Sequence, residues 1–198
     1  IKLATSDPDN AARLLDGKWG PQLSPEERNW LWGVLGRQAA QRLQSADALA
    51  YFAKVRRDSD LVDDMLAWKA RAALRMGQWK EVAPAIDAMS EDAQDDPTWT
   101  YWKARALAQR GGDERRAEAR ALYESIAGTR GFYELLALEE LGQQASVPTR
   151  PAPLTAEEKA AARSNASLQR ALLAIGIGLR SEGVREWNYA TNLHDKGG

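Results

Sequence analysis

Cysteine is absent from this 198-residue chain, and histidine occurs once, as His194. No disulfide, thiolate nucleophile or cysteine-based metal site is therefore possible, and one histidine cannot build a conventional zinc site. No Walker loop or dinucleotide-binding glycine motif is present, and no apolar run approaches the length that spans a bilayer. We therefore expect no metal, no cofactor and no membrane span.

Excess charge of either sign is also missing. Lysine and arginine total 27 and aspartate and glutamate 28, which gives a formal net charge of −1. Nucleic-acid binding usually comes with a strongly basic surface, so we expect no nucleic-acid partner, and binding by helical repeats of this kind is a weak alternative. A salt-dependent shift with RNA is the observation that would support it.

Phenylalanine is scarce, with two residues, whereas tryptophan is abundant, with eight. In an array of alanine-rich helices, tryptophan fills the space between helices that lie close together. We expect most of the tryptophans to be core residues. Trp30, Trp32 and Trp79 are also of a type that stacks on sugars, but packing in the core is the preferred interpretation.

An exact internal repeat is the strongest feature of the chain. Trp68-Lys69-Ala70-Arg71-Ala72 occurs again 34 residues later as Trp102-Lys103-Ala104-Arg105-Ala106, and Gly77 recurs as Gly111 in the same register. A period of this length is typical of a helix–turn–helix unit that stacks on copies of itself. The predicted fold is all-α: a right-handed superhelix of stacked antiparallel helix pairs, an α/α solenoid similar to tetratricopeptide repeats.

Start and stop signals place the helices. Ser24-Pro25-Glu26-Glu27 and Thr155-Ala156-Glu157-Glu158 are capping boxes, and Asp96 precedes Pro97 as a capping carboxylate. Glycine ends helices at positions 77, 111 and 142. The predicted helices cover residues 25–44, 46–57, 61–76, 79–89, 97–110, 113–127, 131–141, 155–162, 165–178 and 182–194. Residues 143–153 contain Pro148, Pro151 and Pro153 and are predicted to form a stiff connector.

Four cations occupy equivalent positions in the repeat: Lys69, Arg71, Lys103 and Arg105. If these positions face the inner wall of the superhelix, they form a basic stripe suited to an anionic or carbohydrate partner; the alternative is ordinary solvated charge. Adjacent carboxylates such as Glu26 and Glu27 point about 100° apart on a helix, so they do not form an acid/base pair. A catalytic pair drawn from distant positions stays open.

One stretch of the chain resembles a known family. It begins with Trp99-x-Tyr101-Trp102-x-Ala104-Arg105-Ala106-Leu107 and Gly111. It continues through Ala121-Leu122-Tyr123-x-x-Ile126-Ala127 to Gly131-Phe132-Tyr133-x-x-Leu136-Ala137-x-x-x-Leu141-Gly142. This pattern is similar to the superhelical domain of soluble lytic transglycosylases. Arg180-Ser181-Glu182-x-x-x-Glu186-Trp187 resembles the linker domain that follows in those enzymes.

The resemblance implies a bacterial periplasmic protein that acts on peptidoglycan. The family cleaves the β-1,4 bond between N-acetylmuramic acid and N-acetylglucosamine and leaves a 1,6-anhydro end, using one glutamate in a lysozyme-like domain. By this resemblance, residues 1–142 are part of the superhelical U-shaped domain, 143–153 the connector and 154–198 the start of the linker domain. We expect a longer parent protein, whose signal peptide lies outside this chain.

The family's catalytic signature is not found in these 198 residues. Glu124-Ser125 is the only Glu-Ser, it is followed by Ile126-Ala127-Gly128, and no Gly-Leu-Met-Gln run occurs. We therefore assign no catalytic residue and expect this chain to be inactive alone. It would position peptidoglycan glycan strands through Lys69, Arg71, Lys103 and Arg105, and its partner would be the catalytic domain of the same enzyme. The alternative is a helical-repeat adaptor that binds a protein or peptide.

Overall fold

A computed structural model describes residues 2–144 and 152–194, and all regular secondary structure in these ranges is helical. The α-helices are α1 (Lys2–Ser6), α2 (Pro8–Leu14), α3 (Pro25–Gln41), α4 (Ser45–Phe52), α5 (Asp63–Arg75), α6 (Trp79–Asp87), α7 (Glu91–Gln94), α8 (Pro97–Arg110), α9 (Asp113–Ile126), α10 (Phe132–Glu140), α11 (Ala156–Ser164), α12 (Ala166–Gly176) and α13 (Arg180–His194). A π-helical segment spans Leu15–Trp19, and 3-10 turns span Gly20–Gln22 and Asp58–Asp60. The predicted all-α fold class is confirmed.

The capping signals have the predicted geometry. The Ser24 hydroxyl accepts from the Glu27 amide while the Glu27 carboxylate accepts from the Ser24 amide, and Thr155 and Glu158 form the same reciprocal pair. The Asp96 carboxylate accepts from the Thr98 amide at 2.8 Å. Each cap satisfies backbone N–H groups that a helix start leaves unpaired, so these helices begin where the side chains specify.

The helix ends are marked by positive φ angles. Gly77, Gly111 and Gly142 have φ values of 64°, 68° and 70°. Leu43, after α3, takes φ of 63° where no glycine signal exists, and the next amide closes the end of α3 on Ala39 as the amide after Gly77 closes α5. A leucine in this conformation is costly.

The first compact unit, Ile1–Ser146, is a stack of helix pairs joined by short turns. Helix α3 packs on α4 and α5, α6 packs on α5 and α8, and α8 packs on α9 and α10. Connections this short make sequential helices antiparallel neighbours. The core between them contains Phe52, Leu66 and Ile86, all fully buried.

The repeated pentapeptide is a packing motif. Its alanines at Ala70, Ala72, Ala104 and Ala106 are buried in both copies. Small side chains at these positions let neighbouring helices approach closely, and tryptophans fill the remaining space. Trp32 and Trp99 are buried, and four other tryptophans pack half-buried against the core: Trp30, Trp68, Trp79 and Trp102. Trp19 and Trp187 are exposed, so six of the eight tryptophans lie in or against the core, as predicted for most of them.

The second compact unit, Val147–Gly198, is built on α12 and α13, which pack along each other. The two helices approach closely at Gly183. A side chain there would lie 2.7 Å from the Ala171 carbonyl oxygen, whereas Gly176 has open space around it. The connector predicted over 143–153 lies largely outside the described residues, which exclude 145–151, so it stays a prediction, as do the domain boundaries.

Candidate functional site

The four repeat cations have different environments. On α5, Lys69 and Arg71 are two residues apart and therefore point about 200° away from each other around the helix. Lys69 is 8% exposed, whereas Arg71 is exposed. One pentapeptide thus presents its two cations to different surroundings.

Three of the four cations are neutralised by carboxylates of the chain itself. Lys69 Nζ lies 2.6 Å from an oxygen of Asp58, and Lys103 Nζ lies 2.5 Å from an oxygen of Asp87. In both cases the carboxylate belongs to a segment that precedes the helix carrying the lysine. These pairs join consecutive elements of the solenoid.

Arg105 is the third neutralised cation. Its guanidinium donates to the Tyr101 hydroxyl at 2.9 Å and forms an ion pair with Glu140 of α10. Burial raises the pKa of Tyr101, and burial also raises the pKa of the neighbouring Tyr123, whose hydroxyl has no hydrogen-bond partner among the described residues. Both phenols therefore stay protonated near neutral pH, and the cluster joins α8, α9 and α10.

Arg71 differs from the other three. Its guanidinium carbon lies 5.0 Å from the ring centroid of Trp68, on its own helix, and 5.0 Å from that of Trp99, on α8. No ion pair with Arg71 is found among the described residues. Both rings lie within the distance at which a cation interacts with an aromatic face.

Arg71 lines a cleft of about 250 Å³. The cleft is formed by α5, α8 and α10, and its lining residues are Arg71, Leu74, Arg75, Thr98, Trp99, Trp102 and Tyr133. On one side, the indole Nε1 of Trp102 lies 3.4 Å from the Tyr133 hydroxyl. We call this surface the Arg71 cleft. Its combination of guanidinium groups and aromatic rings is suited to a ligand with both an anionic group and an apolar face.

Two larger cavities differ from the Arg71 cleft. One of about 500 Å³ is lined by Trp32 and by the charged residues Asp16, Arg28, Lys54 and Arg56; Lys54 pairs with Asp16, and Arg28 donates to the Gly20 carbonyl. A shallow groove of about 720 Å³ is lined by Glu26, Glu27 and Asp60. The acidic groove repels an anionic ligand, whereas the Arg71 cleft contains two arginines without an ion pair among the described residues.

Residues 2–144 and 152–194 contain no group of three or more histidine, aspartate or glutamate side chains placed to hold a metal ion. In the same ranges no helix has the length and apolar character needed to cross a membrane. Glu124 of the Glu-Ser dipeptide lies on α9 and pairs with Arg120 at 2.9 Å, an exposed helix-surface contact.

Sequence reasoning missed Arg75, Tyr133 and the partners of the cations. Arg75 lies four residues after Arg71, so it shares that face of α5. Tyr133 lies 34 residues after Trp99, the period of the repeat. Both signals were present in the sequence, but only the packing of α5, α8 and α10 brings the residues together.

The first compact unit is thus an α-helical solenoid of stacked helix pairs. No protein-family model matches the chain. Among curated proteins, the chain is similar to the soluble lytic murein transglycosylase of Salmonella typhimurium, with 27% identity over 154 residues. The protein of the same name from Escherichia coli K12 is 25% identical over 155 residues. Each alignment covers 76% of this chain and 23% of the relative, so the chain spans about a quarter of the relatives' length.

Solved structures give the same relationship. The lytic transglycosylase Slt of Pseudomonas aeruginosa superposes with a TM-score of 0.65 and 29% identity, covering 97% of this chain and 31% of that one. The 70-kDa soluble lytic transglycosylase of Escherichia coli has a TM-score of 0.60 at 19% identity, which supports the fold alone. The chain is thus similar in sequence and fold to soluble lytic murein transglycosylases, and the resemblance seen in its sequence is confirmed.

Proposed function

We propose that this chain is part of the scaffold of a periplasmic peptidoglycan lytic transglycosylase. In this proposal the helical pairs form a wall that positions glycan strands, and bond cleavage takes place in a lysozyme-like domain of the same protein. The parent enzyme would cleave the bond from N-acetylmuramic acid to N-acetylglucosamine and form 1,6-anhydro ends. The 198 residues themselves would be inactive.

The observation that carries this proposal is the similarity to the Pseudomonas aeruginosa enzyme, which extends over 97% of the chain. The basic and aromatic character of the Arg71 cleft adds support, since sugars are bound by aromatic faces and their acidic groups by guanidinium groups. The proposal gives a different role to Lys69, Lys103 and Arg105. Their ion pairs hold successive helices together, so they would position substrate by maintaining the wall.

The proposal is tested by incubating the purified chain with purified peptidoglycan sacculi. We expect the chain to sediment with the sacculi and to release no anhydro-muropeptides, as measured by chromatography of the soluble fraction. A matched sample with an active lytic transglycosylase shows that the sacculi are competent substrate. Release of anhydro products would contradict the division of labour, and absence of sedimentation would contradict glycan binding by this part of the enzyme.

One observation favours the adaptor alternative. A cleft of about 270 Å³ near the start of the chain has an almost wholly apolar lining, formed by Leu3, Ala4, Ala11, Leu14, Leu15, Trp19, Leu23, Leu31 and Leu35. Such a groove suits the apolar face of a helix. If the chain fails to bind sacculi but binds amphipathic helical peptides, and Leu31→Asp abolishes that binding, the adaptor function replaces the scaffold proposal.

A further inference from the structure

We propose that a second cleft of the solenoid binds the phosphate group of a small phosphate ester. This cleft, of about 500 Å³, is formed by the π-helical segment Leu15–Trp19, by α3 and by the chain that follows α4. We call it the Arg28 cleft and define it by Asp16, Gly20, Arg28, Trp32, Lys54 and Arg56. The proposal does not depend on the proposed function, because it concerns a different part of the chain from the Arg71 cleft.

The lining of the Arg28 cleft has an excess of positive charge. It contains three cations, Arg28, Lys54 and Arg56, and one carboxylate, Asp16. Asp16 pairs with Lys54, whereas no ion pair with Arg28 or Arg56 is found among residues 2–144 and 152–194. Three positive charges and one negative charge leave an excess of two. A phosphate monoester carries a charge of about −1.5 to −2 near neutral pH, so it matches this excess, whereas a carboxylate neutralises only half of it.

Arg28 is held in place without being neutralised. The residue is half-buried, and one guanidinium nitrogen donates to the Gly20 carbonyl. A second nitrogen, Nε, is buried and has no hydrogen-bond partner among the described residues. A carbonyl supplies only a dipole, so a guanidinium charge that is partly removed from water stays without a counter-ion, which is unfavourable. An anion in the cleft would compensate this charge, and the planar donors of arginine match the oxygens of a phosphate group.

The backbone of one cleft wall is irregular and constrained by its sequence. The π-helical segment Leu15–Trp19 runs directly into the 3-10 turn Gly20–Gln22. A Cβ atom at Gly20 would clash with the Leu15 carbonyl oxygen, so the wall requires glycine at this position. Irregular helical segments of this kind occur frequently at functional sites. The volume of about 500 Å³ also lies within the usual range for small-molecule sites, so it can hold a phosphate group together with a short organic substituent.

NMR titrations of the whole chain at constant ionic strength test the proposal. Trp32 lines the cleft and its ring centroid lies 4.7 Å from Lys54 Nζ, so its indole N–H signal should report occupancy. We expect glycerol phosphate to bind with a Kd about fivefold lower than acetate, because its second negative charge interacts with the second unpaired cation. Between about pH 7 and about pH 5 the ester gains a proton, with a pKa of about 6, so its Kd should rise about threefold while that of sulfate stays constant. No histidine lines the cleft, so this pH dependence reports on the ligand.

Two charge-changing variants with opposite expected effects identify the residues. Arg56→Gln, at an exposed position, removes an unpaired cation and should weaken binding of glycerol phosphate about fivefold. Asp16→Asn removes the carboxylate that lines the cleft and frees Lys54, so it should strengthen binding by about the same factor. Partial loss of the fold would not produce a gain in affinity, so this second variant separates ligand binding from stability. Arg110→Gln, at the exposed end of α8, is the matched control and should have no effect.

Inorganic phosphate as a further probe shows which form of phosphate is bound. If it binds as tightly as glycerol phosphate, the cleft recognises the phosphate group itself, and if the ester binds more tightly, the organic substituent also makes contact; both results support the proposal. Three results would overturn it: no shift of the Trp32 signal with either phosphate, a Kd for acetate equal to that for glycerol phosphate, or variants at Arg56 and Asp16 that bind the ester like the wild type.

Discussion

Lys69 and Lys103 occupy the same position in identical pentapeptides but differ in burial, so they form a natural matched pair. The Lys69 side chain is 10% exposed and its partner Asp58 21% exposed; for Lys103 and Asp87 the values are 22% and 50%. Lys69→Met and Lys103→Met each remove a charge and keep an unbranched apolar stem in place. Any difference in stability between the variants then reflects the environment of the pair.

The expected magnitudes follow from burial. Removing one partner of a fully buried ion pair costs about 3–5 kcal/mol, because the remaining charge is left uncompensated. Asp58 retains some contact with water, so we expect Lys69→Met to lower the free energy of unfolding by about 2–3 kcal/mol. The Lys103 pair is half-solvated, and its loss should cost about 1 kcal/mol or less.

Thermal and urea unfolding followed by circular dichroism measure both values. For a unit of this size, about 1 kcal/mol corresponds to about 2–4 °C, so Lys69→Met should lower the melting temperature by about 4–12 °C. Lys103→Met should lower it by less than about 4 °C. Equal losses for the two variants would refute the argument from burial, and a larger loss for Lys103→Met would reverse it.

Two further predictions concern the core and acid stability. Phe52 is 1% exposed and Phe132 69% exposed, so Phe52→Ala should cost about 3–5 kcal/mol in urea unfolding and Phe132→Ala about 0.5 kcal/mol or less; similar losses would contradict the core assignment. Hydrogen bonds donated by the Ser90 side chain and amide lower the pKa of Asp63. The stability that this pKa shift provides is present above the unfolded pKa and is lost as the pH falls through the folded pKa. The melting temperature of Ser90→Ala should therefore fall less than that of the wild type below about pH 4; parallel curves would refute this.

The helices were predictable where local chemistry sets both ends. The prediction of 97–110 coincides with α8 because Asp96 and Pro97 start the helix and Gly111 ends it. The short helices α1 and α7 and the π-helical segment Leu15–Trp19 were missed. Such short segments are stabilised by contacts with the rest of the fold and less by their own propensity. The positive φ of Leu43 was not predictable from the sequence either, because no glycine or asparagine stands at this position.

The candidate site was predictable only in part. The repeat identified Arg71, since positions that recur in a solenoid tend to line the same surface. It did not reveal that Lys69 and Lys103 are paired with Asp58 and Asp87, because Asp58 lies in a 3-10 turn and Asp87 at the end of α6, at different offsets from the lysines. A repeat thus predicts which residues are equivalent in position, while their charge partners depend on the particular turns between helices.

The Arg71 cleft takes its walls from three helices that are separated in the chain, with the guanidinium groups on α5, Trp99 and Trp102 on α8 and Tyr133 on α10. A ligand bound there can stay only while these elements remain docked on each other. Ligand binding and the docking of α5, α8 and α10 are therefore thermodynamically linked. A ligand present at one hundred times its Kd would stabilise the docked state by about 2.7 kcal/mol.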